Sequence, residues 1–226
     1  MKDSLQARRP RDNRFRIAMA VMLVSAALFV AIAASVAMGA PILEQDLRVS
    51  AWLHTHGNPA LTAVLFAITQ LHSTLSVAVM SLIVAYFVWR RGDRFWVLAL
   101  ALAVPGGMLL NVVLKHLFDR PRPTWDHPLL TLSSNSFPSG HAAGATVFYG
   151  FLAAYMVWRV KSASARATAI VACALMIALV GFSRVYLGVH YLSDVLGAMS
   201  MSTAWLVLCL VGVRAFARQR AAAASG

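Results

Sequence analysis

The chain has 226 residues, 60% of them hydrophobic and only 12% charged, with a formal net charge of +12. A mean hydropathy of +0.70 excludes an ordinary soluble domain, and the length allows one helical membrane domain and not two. The basic residues gather at the ends of apolar runs, six of the 20 within the first sixteen positions. That is how membrane topology is written, and it excludes the continuous basic stripe of a nucleic-acid binder.

Residues 1–16 form a basic tail carrying Arg8, Arg9, Arg11, Arg14 and Arg16. Residues 17–40 are uncharged and long enough for a first transmembrane helix, since a bilayer core needs about 20 apolar residues. A signal peptide cleaved near Ser35-Val36-Ala37 is the competing reading, but the apolar core exceeds the ~7–15 residues of a typical signal. Residues 41–58 hold Glu44, Asp46 and Arg48 before the breaker Gly57-Asn58-Pro59. Leu47, Ala51, Trp52 and Leu53 give that stretch the apolar stripe of an interfacial helix. No lysine, arginine, aspartate or glutamate occurs over 49–89, too long for one span, so a short buried or interfacial helix over 60–71 and a span over 74–88 are predicted. His54, His56 and His72 have no partner motif and read as polar interface residues.

The next span, 95–114, is interrupted by Pro105-Gly106-Gly107, which predicts a kink, and it delivers Lys115. A proline-rich loop carrying Trp125 and His127 follows, and then spans over 141–158, 167–182 and 195–213, the last closed by Arg214, Arg218 and Arg220. Cys173 and Cys209 lie inside apolar runs, where a free cysteine behaves as a small hydrophobe. From 216 onward a disordered tail is expected. The predicted fold is therefore all-α, an integral membrane bundle of six transmembrane helices plus a short interfacial helix, with residues 41–215 as the membrane domain.

Charge orients the bundle. With both termini cytoplasmic, the inner segments hold 15 of the 20 basic residues, and the outer ones hold only Arg48, Lys115, Arg120, Arg122 and Arg184. Three polar clusters, 115–123, 137–141 and 183–194, then fall on the outer face. Phe137-Pro138-Ser139-Gly140-His141 opens a helix, where free amides, the positive dipole end and a glycine make a phosphate cradle; an N-cap serine with a turn glycine is the plainer reading. Lys115 and Arg122 can hold phosphoryl oxygens or simply bind headgroups. His190 and Asp194, four apart at the start of the last helix, share a face, so the carboxylate can fix the imidazole tautomer and free its other nitrogen to attack.

The order Lys115-x6-Arg122-Pro123, then Pro138-Ser139-Gly140-His141, then Ser183-Arg184-x5-His190-x3-Asp194 resembles the three signatures of the type-2 phosphatidic acid phosphatase superfamily, which also includes soluble vanadium haloperoxidases. The resemblance spans 115–194 and departs from the pattern at no motif position. It implies that His190 is the nucleophile, forming a phosphohistidine, with Asp194 orienting it. It implies that His141 protonates the leaving group and then activates water. Lys115, Arg122 and Arg184, with Ser139 and the Gly140 amide, would hold the phosphoryl oxygens, so no metal and no cofactor are expected.

The spans favour a membrane lipid phosphatase or diphosphatase in the bacterial cytoplasmic membrane, with its active site on the periplasmic or extracellular face. Undecaprenyl pyrophosphate or phosphatidylglycerol phosphate is the favoured substrate, with phosphatidic acid also a candidate. A lipid phosphotransferase, a lipid A 1-phosphatase and a non-catalytic lipid-binding or transport protein are the alternatives. The expected partners are the bilayer and its lipid phosphate, with no nucleic acid and no obligate protein partner. His116, Asp119, Arg120, Trp125, Asp126 and His127 could shape headgroup choice, solvated loop positions being the alternative.

Overall fold

The computed structural model describes residues 9–224 apart from 40, 127 and 131. Its described residues are all-α, without a strand: α1 (Arg9–Ala37), α2 (Ile42–Thr55), α3 (Pro59–Leu71), α4 (Thr74–Arg90), α5 (Arg94–Phe118), α6 (Gly140–Arg159), α7 (Ala163–Tyr186) and α8 (Leu192–Ala223). Local chemistry sets several of these boundaries. Asn58 caps α3, accepting the Ala60 and Leu61 amides at 2.9 and 3.1 Å, and Pro59 supplies a first turn that needs no amide donor. Ser73 and Ser162 cap α4 and α7 in the same way. Asp119 ends α5 in the left-handed region, at φ 44°.

Four helices are long and apolar enough to cross a membrane, over Asn13–Ala37, Arg94–Phe118, Ala163–Tyr186 and Leu192–Ala223. The pair α3 and α4, bent by 55° at their junction, makes a fifth if counted as one broken span. The expected six is not reached on this measure, for a physical reason. α6 is enclosed by α5, α7 and α8, and its residues 142–148 are all buried, so small and polar residues replace the lipid-matching apolar ones. α1 packs along α8 on the outside of this core. In place of the disordered tail expected from 216, α8 runs on to Ala223 through alanines and arginines, which favour helix.

Pro105 lies inside α5, which continues through it as one helix. The adjoining glycines admit a neighbour: a Cβ on Gly106 would stand 2.6 Å from the Trp205 ring of α8. Trp205 completes the contact by donating its indole N–H to the Ala103 carbonyl at 3.1 Å.

Phe137 anchors the loop before α6. It is fully buried, stacked on Phe29 of α1 at 6.1 Å and edge-on to Phe118 of α5 at 4.9 Å. The close approach of α8 depends on Gly197, whose Cβ would fall 2.6 Å from the Phe137 ring. Gly197→Ala is therefore expected to cost about 1–3 kcal/mol by overpacking. Thermal unfolding in detergent should show a lowered midpoint for Gly197→Ala and none for Gly212→Ala, where the added methyl meets open space.

Candidate active site

The three polar clusters meet around Asp194, which lies in the first turn of α8 and is fully buried. Its Oδ2 accepts the Tyr191 amide at 2.9 Å, the Ser136 hydroxyl, and His190 Nδ1 at 3.3 Å. Its Oδ1 accepts Arg120 Nη1 at 2.6 Å. The free amides of the helix start add a favourable field for the charge.

His190 does not sit on α8 as expected but in the turn 187–191 ahead of it. Gly188 turns the chain at φ 70°, and Trp125 fills the space beside it, donating Nε1 to the Gly188 carbonyl at 2.9 Å. The Arg184 carbonyl accepts both the Val189 and His190 amides, at 3.2 and 3.3 Å, which ties the histidine to the end of α7.

The partners of the His190 ring decide its tautomer. The Asp194 carboxylate can only accept, so Nδ1 carries the proton. Arg122 can only donate, and its Nη1 lies 3.1 Å from Nε2, which therefore presents a lone pair. Burial pushes the His190 pKa from the ordinary 6.5 down to about 3; the hydrogen bond and charge of Asp194 oppose that shift, and Arg122 and Arg184 add to it. At neutral pH the ring is uncharged and aims a lone pair from Nε2.

Two cations clamp the loop before α6. Arg122 donates Nε to the Ser134 carbonyl at 2.5 Å, Nη2 to the Ser134 hydroxyl at 3.0 Å and Nη1 to the Val189 carbonyl at 2.6 Å. Lys115 donates Nζ to the Asn135 and Ser136 carbonyls, while Asn135 returns a bond to the Lys115 carbonyl at 3.0 Å. Lys115 also lies within electrostatic reach of Arg122, Arg184 and Asp194.

Ser139 occupies the N-cap position of α6, but its side chain caps nothing. Its amide donates to the Asp194 carbonyl at 3.1 Å, and its buried hydroxyl has no partner among the described residues. The plain N-cap role thus leaves the side chain unexplained. Gly140 follows, and a Cβ there would stand 3.4 Å from the Asn111 side-chain oxygen. Asn111 itself donates to the Pro138 carbonyl at 3.2 Å.

Arg184 is 1% exposed, yet only Nη1 is paired, to the Thr69 hydroxyl of α3 at 2.5 Å; Nε and Nη2 have no partner among the described residues. Leaving buried donors unmatched costs about 1–3 kcal/mol each, and more for a charged group. His141, half-buried at the start of α6, lies within electrostatic reach of Arg184, His190, His72 and Arg122. A buried cation with open donors, a free hydroxyl and a neutral histidine whose Nε2 lone pair faces Arg122 together suit an anion, and phosphate in particular.

Arg120, read as a solvated loop position, is instead buried in ion pairs with Asp194 and Asp46 at 2.6 and 2.9 Å. Trp125 is half-buried and stacked on His54 at 4.4 Å. His72 is buried, with both ring nitrogens bonded, to the Ile68 carbonyl and the Tyr149 hydroxyl at 2.7 Å each. His116, Asp119 and Asp126 are exposed, and His127 lies outside the described residues. Sequence reasoning missed Asp46, Thr69, Asn111 and Ser136. Ser136 could have been found from its place one residue before the Phe137–His141 motif, but Asp46 lies 74 residues from Arg120 and 147 from Ser193, Thr69 lies 115 from Arg184, and neither carries a local signal.

Phosphatidylglycerophosphatase B of Bacillus subtilis (strain 168) is 46% identical over 94 residues, which is 41% of this chain and 46% of that protein. YbjG of Escherichia coli (strain K12), provisionally named an undecaprenyl-diphosphatase, is 32% identical over 125 residues, 52% of this chain and 58% of that one. The chain thus spans about half the length of the curated relatives it matches. The crystal structure of a transmembrane PAP2-type phosphatidylglycerolphosphate phosphatase from Bacillus subtilis superposes with a TM-score of 0.77 at 28% identity, covering 88% of this chain and 96% of that one. LpxE of Aquifex aeolicus shares the fold, with a TM-score of 0.58 at 24% identity over 73% of this chain and 93% of that one. The PAP2 superfamily profile matches residues 94–218, more than half of the sequence and all three polar clusters, and the chain belongs to that superfamily.

Proposed function

We propose that the protein is a lipid phosphatase of a bacterial cytoplasmic membrane, acting through a phosphohistidine on His190. The observation that carries this reading is the tautomer of His190, protonated on Nδ1 toward Asp194 and presenting its Nε2 lone pair to Arg122, a cation that can hold a phosphoryl oxygen beside it. The charge pattern of the sequence supports both termini on the cytoplasmic side, with the site on the opposite face, and six crossings follow if the enclosed α6 and the bent α3 and α4 pair each count as one.

In the first step Nε2 attacks phosphorus, and the bond to the lipid oxygen breaks as His141 protonates it. The phosphoryl group's own negative charge favours the protonated form of His141. Asp194 keeps the Nδ1 proton in place and balances the charge that develops on the ring. In the second step His141 takes a proton from water, which attacks phosphorus and restores His190. The open donors of Arg184, the Ser139 hydroxyl, Lys115 and Arg122 bind the equatorial oxygens as charge builds. These cations supply the neutralisation that a metal ion provides elsewhere, so the reaction proceeds without one. Phosphatidylglycerol phosphate is the first substrate to test and undecaprenyl pyrophosphate the second, after the activities named for the relatives.

The purified protein, in detergent and EDTA, should release phosphate from one of phosphatidylglycerol phosphate, undecaprenyl pyrophosphate, phosphatidic acid and lipid A 1-phosphate, and His190→Ala should lose at least ~1,000-fold in kcat. A phosphorylated lipid product in place of free phosphate would indicate a transferase. Orthovanadate, which mimics five-coordinate phosphorus, should inhibit. Arg184→Gln should weaken that inhibition by about 10- to 100-fold and Ser139→Ala by about fivefold, as loss of charged and neutral hydrogen bonds requires; equal inhibition of all three proteins would place the phosphate elsewhere. The pH dependence follows from the lowered pKa of His190, which is in its nucleophilic form above about 3. Once the substrate's own ionisation is divided out, kcat/KM should hold level through 6.5 as pH falls, its acid limb appearing only below about pH 5. A limb centred near 6.5 would mean a solvated nucleophile.

A further inference from the structure

Arg120 takes no part in the phosphate cradle, yet it is built into the foundations of the histidine–aspartate pair. After Asp119 reverses the chain at the end of α5, Arg120 runs beneath Tyr191, whose ring lies 4.3 Å from the guanidinium carbon. Its Nη1 donates to Asp194 Oδ1 at 2.6 Å and to the Ser193 hydroxyl at 2.7 Å, and its Nη2 donates to Asp46 Oδ2 at 2.9 Å. Asp46, on α2, accepts the Ser193 amide on Oδ1 at 2.9 Å and the Ser193 hydroxyl on Oδ2. One guanidinium therefore bridges two carboxylates, and all three groups are buried.

A guanidinium beside a single buried carboxylate tends to close on it as a fork, taking both oxygens. Asp194 cannot spare its second oxygen, because Oδ2 serves His190, Ser136 and the Tyr191 amide. Asp46 occupies the other arm of the fork and limits Arg120 to Oδ1. The arrangement leaves one more carboxylate than cation out of water, which is unfavourable for stability unless every oxygen is bonded. It is kept at the one place where the orientation of a carboxylate sets the orientation of the histidine.

We propose that Asp46 is a positioning residue for the reaction: acting through Arg120, it reserves the second oxygen of Asp194 for His190 and so couples α2 to the nucleophile. This rests on the reading of His190 and Asp194 given above. A group that acts on the orientation of the nucleophile changes turnover and leaves substrate binding alone.

The test measures kcat and KM on phosphatidylglycerol phosphate in detergent micelles, per molecule of monodisperse protein, for wild type, Asp46→Asn, Arg120→Gln, the double variant, Ser193→Ala and His190→Ala. Asp46→Asn keeps the shape and removes the charge; it should lower kcat by about 10- to 100-fold with KM within about twofold. The double variant should be little slower than Arg120→Gln alone, since the effect of Asp46 on the Asp194 carboxylate passes through that residue. Ser193→Ala alters no charge and loosens Asp46 from α8; it should lower kcat by about threefold at constant KM, and it carries the test if Asp46→Asn folds poorly. Wild-type kcat in Asp46→Asn, a matching rise in KM, or additive losses in the double variant would overturn the proposal, while an inactive His190→Ala beside them would leave the site reading intact. An active His190→Ala, or wild type that does not release phosphate, would overturn both.

Discussion

The buried carboxylate of Asp194 is the constraint on which the site depends. A charge taken out of water at the end of a helical bundle is tolerated only when its lone pairs are filled, and here a backbone amide, a serine, a histidine and an arginine fill them. The donors come from three places: the amide and the histidine from the turn before α8, the serine from the loop before α6, and the arginine from the reversal after α5. Satisfying one carboxylate therefore draws three loops to a common point. Its backbone joins in as well, because the Asp194 carbonyl accepts the amide of Ser139 at 3.1 Å.

Around this satisfied centre lie groups that are not satisfied. Arg184 and Ser139 are as deeply buried as Asp194, but the arginine keeps two open donor nitrogens and the serine a free hydroxyl. The contrast separates structural from binding groups. Both terminal nitrogens of Arg120 are bonded, to Asp194, Ser193 and Asp46, whereas the open donors of Arg184 and Ser139 face the same centre and can be completed by an anionic ligand. Thr69 holds Arg184 by a single nitrogen, so the bent pair α3 and α4 contributes to the site as well as to the bundle. The same economy explains α6, whose enclosure by three neighbours lets it begin in polar residues and continue in small ones.

Much of this was legible before any coordinates. Apolar run lengths and the placement of basic residues led to an all-α membrane bundle, and all eight helices fall within or close to stretches read as helical. The spacing of Lys115, Arg122, Ser139, His141, Arg184, His190 and Asp194 pointed to one polar centre. Misreadings came from places where sequence carries no information on enclosure. Arg120 reads as a solvated loop position and His190 as helical, whereas Arg120 is buried and Gly188 turns the chain ahead of α8.

Hydropathy, charge asymmetry and motif spacing are properties of neighbouring residues, and they suffice for helix content and for the types of residue that can do phosphoryl chemistry. Which nitrogen of His190 carries the proton, which arginine is spent on structure and which is left open, and that Asp46 bonds to Ser193 across 147 positions of sequence were decided only by tertiary packing. The physical reason is that burial and hydrogen-bond satisfaction belong to pairs of groups brought together by folding, and no local pattern records a partner that lies half a chain away.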